Sequence, residues 1–566
     1  MEESMTDNQK SEGQLHPDET TLAAESTQTQ RSHNRTLRPT GSTFERFMLS
    51  GWGEEDNEVE SLESSRFVPD RLKALGAKFP GQRLIIPAGQ AKVRNDDCDY
   101  AFRPDSAFAY YTGLGQDYEA GAVLVLNPVD PDSPEAKEGQ THTATLYTHP
   151  RSDQTTQEYY RSASYGEYWV GARPGLKGLA VMTGLHTADI ADFDDAVAKN
   201  VGPEQGAVQL RVVRNVDPQI TESVDLIRHD NGFSDDGKTQ ADDDAFYQAT
   251  SVQRMLKDSY EVDEMRKAIA ATKDGFSRML TALPAAIGRP RSERILEGQF
   301  NANAREQGNN EGYDTIVASG AHAPTLHWMR NTGTIKSGEL LLIDAGVEVD
   351  SLYTADITRT FPTNGHFSDL QRQMYQVVLD AQQAGFEAAK PGATYSDIHK
   401  ACMRVLAEAL HQWGILPVSV EESLSPQGQQ HRRWHACGVA HHLGLDVHDC
   451  SQARYEEYQG AALTPGMIFT IEPGLYFKEN DMLVPPEFRG VGIRIEDDVL
   501  MTEKGPEWLS IGIPKQVDDV EKWMADCAAQ AIALPERSER SEPPTSASRS
   551  RAALSKSGPQ GGPDLS

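Results

Sequence analysis

Four carboxylates stand at the ends of the most apolar runs in this 566-residue chain, and they restrict what it can fold into more than any other feature. Asp344 closes Leu340-Leu-Leu-Ile343. Asp356 opens Ile357-Thr-Arg-Thr-Phe361. Glu472 closes Met467-Ile-Phe-Thr-Ile471, and Glu496 ends Gly492-Ile-Arg-Ile495. Each run is short, apolar and rich in β-branched residues, which reads as a buried strand. A carboxylate in such surroundings is costly unless it is paired or holds a metal. One such Asp would most simply be a strand-end residue in water. Four in matching contexts point to a shared site. The strands ending at Asp344 and starting after Asp356 are joined through 347–354, so a hairpin would bring the two aspartates together. On a strand, residues i and i+2 share a face, so Arg494 and Glu496 point the same way, together with Asp498.

Charge and hydropathy restrict the function classes. There are 85 acidic and 54 basic residues, a formal charge of −31. Phosphates would be repelled, so neither a nucleic-acid partner nor an anionic membrane surface is expected. The clearest apolar run, 120–126, is far short of the roughly 18 residues that span a bilayer. The chain opens Met-Glu-Glu-Ser with no basic-then-apolar segment, so no secretory leader is expected. The five cysteines have no CxxC spacing, which argues against a disulfide framework or a zinc ribbon and fits a cytoplasmic protein.

Composition divides the chain into four parts. Residues 1–64 are polar and acidic, with too few apolar side chains to offset chain entropy, and are expected to be a disordered tail. The Ser/Pro/Arg/Gly-rich stretch 531–566 reads the same way. Between them, the turn-forming, acidic segment at 230–247 marks a boundary. Residues 65–245 alternate apolar runs with helix-like stretches, as in a smaller α/β domain. Residues 246–530 mix long helices with hairpin-connected strands, which is α+β. Helices are expected over 251–283, 368–389 and 395–413. The last two open on capping-box patterns, Ser368 with Gln371 and Thr394 with Asp397.

A histidine-rich segment runs Trp434-His-Ala-Cys-Gly-Val-Ala-His-His-Leu-Gly-Leu-Asp-Val-His448. Read as a strand, it turns His441 and His442 to opposite faces, so at most one joins a given site. His435 and Cys437 would share the face of His441. Two Asp and two Glu balance the charge of two divalent cations, and one neutral imidazole adds a ligand without charge. Such oxygen-rich ligation suits Mn²⁺, Co²⁺ or Zn²⁺. A two-metal site with a bridging hydroxide is a standard means of attacking an amide at neutral pH.

Asp344, Asp356, His441, Glu472 and Glu496, in this order and in these contexts, resemble the metal ligands of the pita-bread metallopeptidases. The strings Asp356-Ile-Thr-Arg-Thr-Phe-Pro, Gly444-Leu-Asp-Val-His-Asp, Thr470-Ile-Glu-Pro-Gly-Leu-Tyr and Gly492-Ile-Arg-Ile-Glu-Asp-Asp are most similar to aminopeptidase P, the Xaa-Pro aminopeptidase family. The segment Phe102-Arg-Pro-Asp-Ser-Ala-Phe-Ala-Tyr-Tyr-Thr-Gly113 resembles that family's creatinase-like first domain. The resemblance implies a pita-bread catalytic domain behind a smaller creatinase-like domain. It also implies two bound divalent metal ions, with Mn²⁺ the expected pair, and peptides with proline at the second position as substrates. A homo-oligomer, dimer or tetramer, follows from the same likeness. Glu472 would also take a proton from the attacking water. His327 and His448 would hydrogen-bond the scissile carbonyl and the developing oxyanion. Arg494 would fix the ligand carboxylates, Tyr476 and Arg454 would lie near the substrate, and Trp169 would reach a neighbouring subunit's site.

Two departures stand out. The family's pattern has a histidine where this chain has Cys437, and the nearest histidine lies two residues earlier, at His435. The Asp344–Asp356 spacing is also one residue longer than the pattern. Neither removes a metal ligand, but the first bears on substrate positioning. Proline at the second position makes a tertiary amide with no N–H and a fixed φ, which calls for a dedicated pocket. A prolidase restricted to dipeptides is the alternative on the same fold. A binding protein without metals is a further one.

Overall fold

The computed structural model describes residues 41–53, 58–96, 98–130, 132–133, 136, 139–204, 206–233 and 237–531. Most of both expected tails, 1–40 and 532–566, lies outside these. Part of the segment assigned to the N-terminal tail is built into the fold, however. A helix over Ser42–Met48 sets Phe44 edge-on against Tyr160, and Trp52 packs on Tyr159 with ring centroids 5.3 Å apart. Glu45 pairs with Arg161. A few aromatic anchors in a polar stretch suffice to dock it, which average composition does not reveal.

The N-terminal domain is built on a mixed five-stranded sheet. Its strands are β1 (Gln82–Pro87), β2 (Val123–Pro128), β3 (His142–Thr148), β4 (His186–Asp189) and β5 (Gln209–Val212), in spatial order β4-β3-β2-β1-β5. The pairs β1–β2 and β2–β3 are antiparallel; β1–β5 and β3–β4 are parallel. Alternation along the strands covers both faces. Ile85, Val123, Val125 and Val212 join Phe193 and Val224 in a small core. Leu84, Ile86, Leu124 and Leu126 join the large core that runs on into the second domain. Helices α1 (Val68–Lys78) and α2 (Ser106–Thr112) belong to this domain, and α2 is capped by the Asp105 carboxylate at the Ala107 N–H.

The expected boundary at 245–246 falls inside a continuous helix, α3 (Lys238–Arg254), and the single helix expected over 251–283 is two. The break lies at 255–258. There Lys257 N–H donates to Gly466 O, and Asp258 caps α4 (Ser259–Ala286) through a capping box with Glu261. A capping residue inside an amphipathic run stops one helix and starts the next, and hydrophobic periodicity alone reads through it. The other two helices form where their caps place them, α6 (Asp369–Ala388) behind Ser368 and α7 (Tyr395–Gln412) behind Thr394. Between α4 and α6 lies α5 (Ser292–Gln307), and α8 (Val517–Ala528) closes the domain.

The second domain's strands form small antiparallel sheets. The first is β6 (Ile316–Ser319), β7 (Leu340–Ala345) and β8 (Ile357–Pro362), with β7 central and every residue of β7 and β8 buried. In the second half, β9 (Ile468–Ile471) pairs with β12 (Asp497–Thr502), and β10 (Gly474–Phe477) with β11 (Val491–Arg494); β13 (Gly505–Trp508) extends β12.

Candidate active site

The four carboxylates lie where these ladders end or break. Asp344 sits in β7 opposite Thr358 of β8. Asp356 immediately precedes β8, and the hairpin returns tightly enough that a Cβ on Gly346 would overlap the Ala355 carbonyl oxygen. Glu472 lies between β9 and β10, and Glu496 between β11 and β12. Both are at the interruption that splits one long antiparallel ladder in two. A break in pairing frees those residues from the alternation of the sheet and lets them turn inward. The histidine segment is not a regular strand. After a 3₁₀ turn over Gln430–Arg433 it runs irregularly beside β9, with Thr470 N–H donating to His441 O and Leu443 N–H to Ile468 O.

These elements converge on a cleft of about 500 Å³, lined by all four carboxylates, His441, His327, His448 and Arg494. His441 Nδ1–H donates to His442 O at 3.1 Å, which fixes the tautomer and leaves Nε2 facing the acids. Nε2 is 3.3 Å from Asp356 Oδ2, 3.5 Å from Glu472 Oε1 and 4.0 Å from Glu496 Oε1. Ligand atoms of Asp356, His441 and Glu496 lie within 4.8 Å of one another. His442 turns away and packs edge-on against Tyr458. Arg494 Nη2 donates to Asp344 Oδ2 and its Nε to Thr358 Oγ1 at 3.0 Å; Thr358 in turn donates to Glu496 Oε2 at 2.7 Å. Arg494 and Glu496 thus face the same way. Asp498 is fully buried, with Oδ2 facing the Asp356 N–H.

The electrostatics show what the protein atoms leave unbalanced. Burial pushes Glu472 up to about 7, with Asp356 and Asp344 adding repulsion against the pull of His441 and Arg494. Burial, then Asp356 and Glu472, hold Glu496 well above the carboxylate range. Burial alone would lower His441, yet its contacts with Asp356 and Glu472 hold it at about 9. Four acids against one guanidinium and one imidazole is a set that divalent cations would stabilise. Oxygen donors with one tautomer-fixed Nε2 are the ligand chemistry such cations take.

The two further histidines stand exposed at the cleft. His448 meets the His441 ring edge-on at 4.6 Å, and partial burial and the His441 charge lower its pKa. His327 lies on a loop held by the buried Glu293, which accepts from Ser319 N–H (2.9 Å), His322 Nδ1–H (2.8 Å), Trp328 Nε1–H (2.9 Å) and Gly333 N–H (2.5 Å).

Known proteins resemble this chain across both domains. The aminopeptidase P N-terminal domain matches residues 69–208 and metallopeptidase family M24 matches residues 263–503. Xaa-Pro aminopeptidase 1 of Streptomyces coelicolor is 42% identical over 479 residues, 84% of this chain and 91% of the relative. The Haemophilus influenzae Xaa-Pro aminopeptidase is 31% identical over 476 residues, 82% of this chain and 98% of the relative. The chain belongs to the aminopeptidase P family. Among solved structures, Pseudomonas aeruginosa aminopeptidase PepP superposes with a TM-score of 0.69 at 30% identity, covering 83% of this chain and all of that one. Zinc-substituted Escherichia coli aminopeptidase P in complex with product superposes with a TM-score of 0.69 at 28% identity, covering 82% and 99%. The two-domain pita-bread fold, metal-dependent aminopeptidase activity and a requirement for divalent metal ions come with this family.

The remaining expected residues of this aminopeptidase P chain are placed differently from one another. Cys437 lines the cleft and is half-buried, its thiol raised to about 11 by burial and then by Glu472. His435 does not share that face, because the segment is not a strand. It is buried behind Cys437, with Nδ1–H toward Gly474 O at 2.9 Å and Nε2 left as acceptor for the Cys437 thiol at 3.8 Å. Tyr476 is also buried behind the wall, its hydroxyl accepting from Arg494 Nη1 at 3.1 Å. Arg454 is exposed and bonds Gln248 of α3 at 2.9 Å, away from the cleft lining. Trp169 is 42% exposed on the N-terminal domain, its indole N–H donating to Tyr160 O at 2.8 Å. It is neither in the core nor at this chain's own cleft.

One residue of the site was invisible in the sequence. The Tyr313 hydroxyl lies 2.6 Å from Asp344 Oδ1 and 2.5 Å from Asp356 Oδ1. It precedes a strand in Gly312-Tyr-Asp-Thr-Ile316, a context no different from that of an ordinary core tyrosine.

Proposed function

We propose that this chain is an Xaa-Pro aminopeptidase that hydrolyses the bond between an N-terminal residue and a following proline, using two divalent metal ions, Mn²⁺ by preference. The convergence of Asp344, Asp356, Glu472 and Glu496 in one cleft, the last three within 4.0 Å of His441 Nε2, carries the reading. These five residues would hold the ions. The ions would supply the balancing charge, polarise a carbonyl and lower the pKa of water.

The protein's own groups then have separable tasks. Glu472, with its side chain 18% exposed, lines the cleft and would take the proton of the attacking water and return it to the prolyl nitrogen. His327 and His448 present N–H groups to the carbonyl oxygen as it gains charge. Arg494, with Tyr313 and Thr358, keeps the carboxylates in place. Cys437, Leu326, Met329 and Val447 give the cleft walls their shape.

No helix among the described residues is long and apolar enough to cross a membrane, and the enzyme is read as cytoplasmic. Trp169, exposed beside Tyr168 and Val170, offers apolar surface for a homo-oligomer. The deciding experiment removes metal with a chelator and adds back Mn²⁺, Co²⁺ or Zn²⁺. Activity is then measured on Xaa-Pro-Xaa tripeptides and Xaa-Pro dipeptides. Cleavage of the tripeptides, strongest with Mn²⁺, is expected. Cleavage of dipeptides alone would make it a prolidase.

A further inference from the structure

We propose that Arg103, a residue of the N-terminal domain, is a positioning residue for the hydrolytic site, locking the loop that carries His448 onto the hairpin that joins Asp344 to Asp356.

Arg103 lies in the turn before α2, and its guanidinium fans out over two segments of the other domain. Nε donates to Glu348 Oε2 at 2.8 Å. Glu348 belongs to the hairpin between the two aspartates, where it pairs with Asn310. Nη2 donates to Leu445 O at 2.5 Å, and Nη1 lies 3.2 Å from Asp446 Oδ1. The neighbouring Ser106 hydroxyl donates to Asp446 Oδ2 at 2.6 Å. The two segments also touch directly, through Thr354 N–H to Gly444 O at 3.0 Å.

His448 sits between Asp446 and Asp449. Asp449 is held on the far side by Lys257 Nζ at 2.8 Å and Arg254 Nη2 at 3.2 Å. Those cations come from the α3–α4 junction, so Arg103, together with Ser106, supplies the tie from the first domain. Without Arg103, Asp446 keeps the Ser106 hydroxyl and, at 4.0 Å, Arg254 Nη2, and the hairpin loses its charged link to the loop. A planar guanidinium spreads its donors over three nitrogens and so reaches all three acceptors; the three N–H groups of an ammonium radiate from a single nitrogen and do not span the same separation. Arg103 and Asp446 are both about one-third exposed, and the buried Glu348 keeps Asn309 Nδ2 as a donor at 3.1 Å, so removing Arg103 should not unfold the core. Displacing an acid, base or hydrogen-bond donor by about 1 Å can cost ~10²-fold in rate.

The proposal rests on the peptidase reading only for its kinetic arm. Arg103→Gln, Arg103→Lys and Ser106→Ala are prepared as metal-loaded full-length protein. The measurements are kcat and KM on an Xaa-Pro-Xaa peptide, bound metal, and amide hydrogen exchange by mass spectrometry. Arg103→Gln is expected to lower kcat roughly tenfold or more, with KM within about threefold and metal content unchanged. Arg103→Lys should recover part of the loss, and Ser106→Ala should lower kcat less than Arg103→Gln does. Exchange should quicken over 443–449 and 346–355 and nowhere else. An unchanged kcat with unchanged exchange overturns the proposal, as does a kcat that falls only in step with bound metal. If the unaltered protein cleaves no Xaa-Pro peptide, the functional reading fails, and the exchange arm still decides the role of Arg103.

Discussion

The Tyr313 hydroxyl lies 2.5 Å from Asp356 Oδ1, and one phenolic proton there separates two carboxylates that would otherwise repel. Asp344 shares the same hydroxyl at 2.6 Å. Tyr313→Phe removes the donor and leaves the ring in place. Metal affinity should fall ~10–100-fold, the range for loss of a group that orients ligands, with the fold retained. Titration with Mn²⁺, followed by bound-metal analysis, measures this. Unchanged affinity would mean that Arg494 alone orients Asp344.

Asp356→Ala or Glu496→Ala should abolish nearly all activity while circular dichroism stays native. Each carboxylate lies within ligand distance of His441 and of the other, so its loss unbalances the whole cluster. Substantial peptidase activity in either variant would exclude it as a ligand.

His327→Ala and His448→Ala should each lower kcat on the order of 10²-fold, as for a lost oxyanion donor, with bound metal unchanged. The measurement pairs kinetics with metal analysis on the same preparation. A parallel collapse of metal content would make these histidines ligands.

Proton linkage gives the metal-free protein a definite pH dependence. Glu472 is raised to about 7 on folding, so its protonated form is favoured in the native state. The stability it contributes is present below the unfolded value, about 4.5, and is lost as pH rises through 7. His441, raised to about 9, contributes stability present below about 6.5 and lost as pH rises through 9. Both signs agree. Chelated protein should therefore melt at a lower temperature at pH 9 than at pH 6, and saturating Mn²⁺ should cancel the difference. Calorimetry with and without chelator measures it; a higher Tm at pH 9 without metal contradicts the clustering.

Cys437 and His435 should separate binding from stability. Cys437→Ser keeps the size of the cleft wall but changes its polarity, and should move KM more than kcat. The buried His435 is bonded to Gly474 O, so His435→Ala should destabilise the fold by about 1–3 kcal/mol, the cost of unpairing a buried polar group. Activity per folded molecule should stay close to that of the parent. A large loss of kcat/KM in folded His435→Ala would place the imidazole in the substrate path.

The sequence by itself determined which acids meet in the cleft and much of the scaffold. Asp344, Asp356, Glu472 and Glu496 were legible because a charge beside a run of Leu, Ile and Phe is costly to bury, and that conflict is written in one dimension. Helices α6 and α7 were legible for a similarly local reason, since Ser368 and Thr394 bond their own first turns. Tertiary structure decided the rest. Whether 434–442 is a strand depends on how it meets β9, and its irregular path puts His435 behind Cys437 instead of beside it. The burial of Tyr476, the outward turn of Arg454 and the docking of residues 41–53 were settled by partners distant in the chain. Tyr313 and Arg103 show the same limit. Each acts through contacts with remote residues, Tyr313 with the two aspartates and Arg103 with Glu348 and Asp446. Such contacts arise only when separate segments fold together, and they leave no periodic or compositional trace in the residues around them.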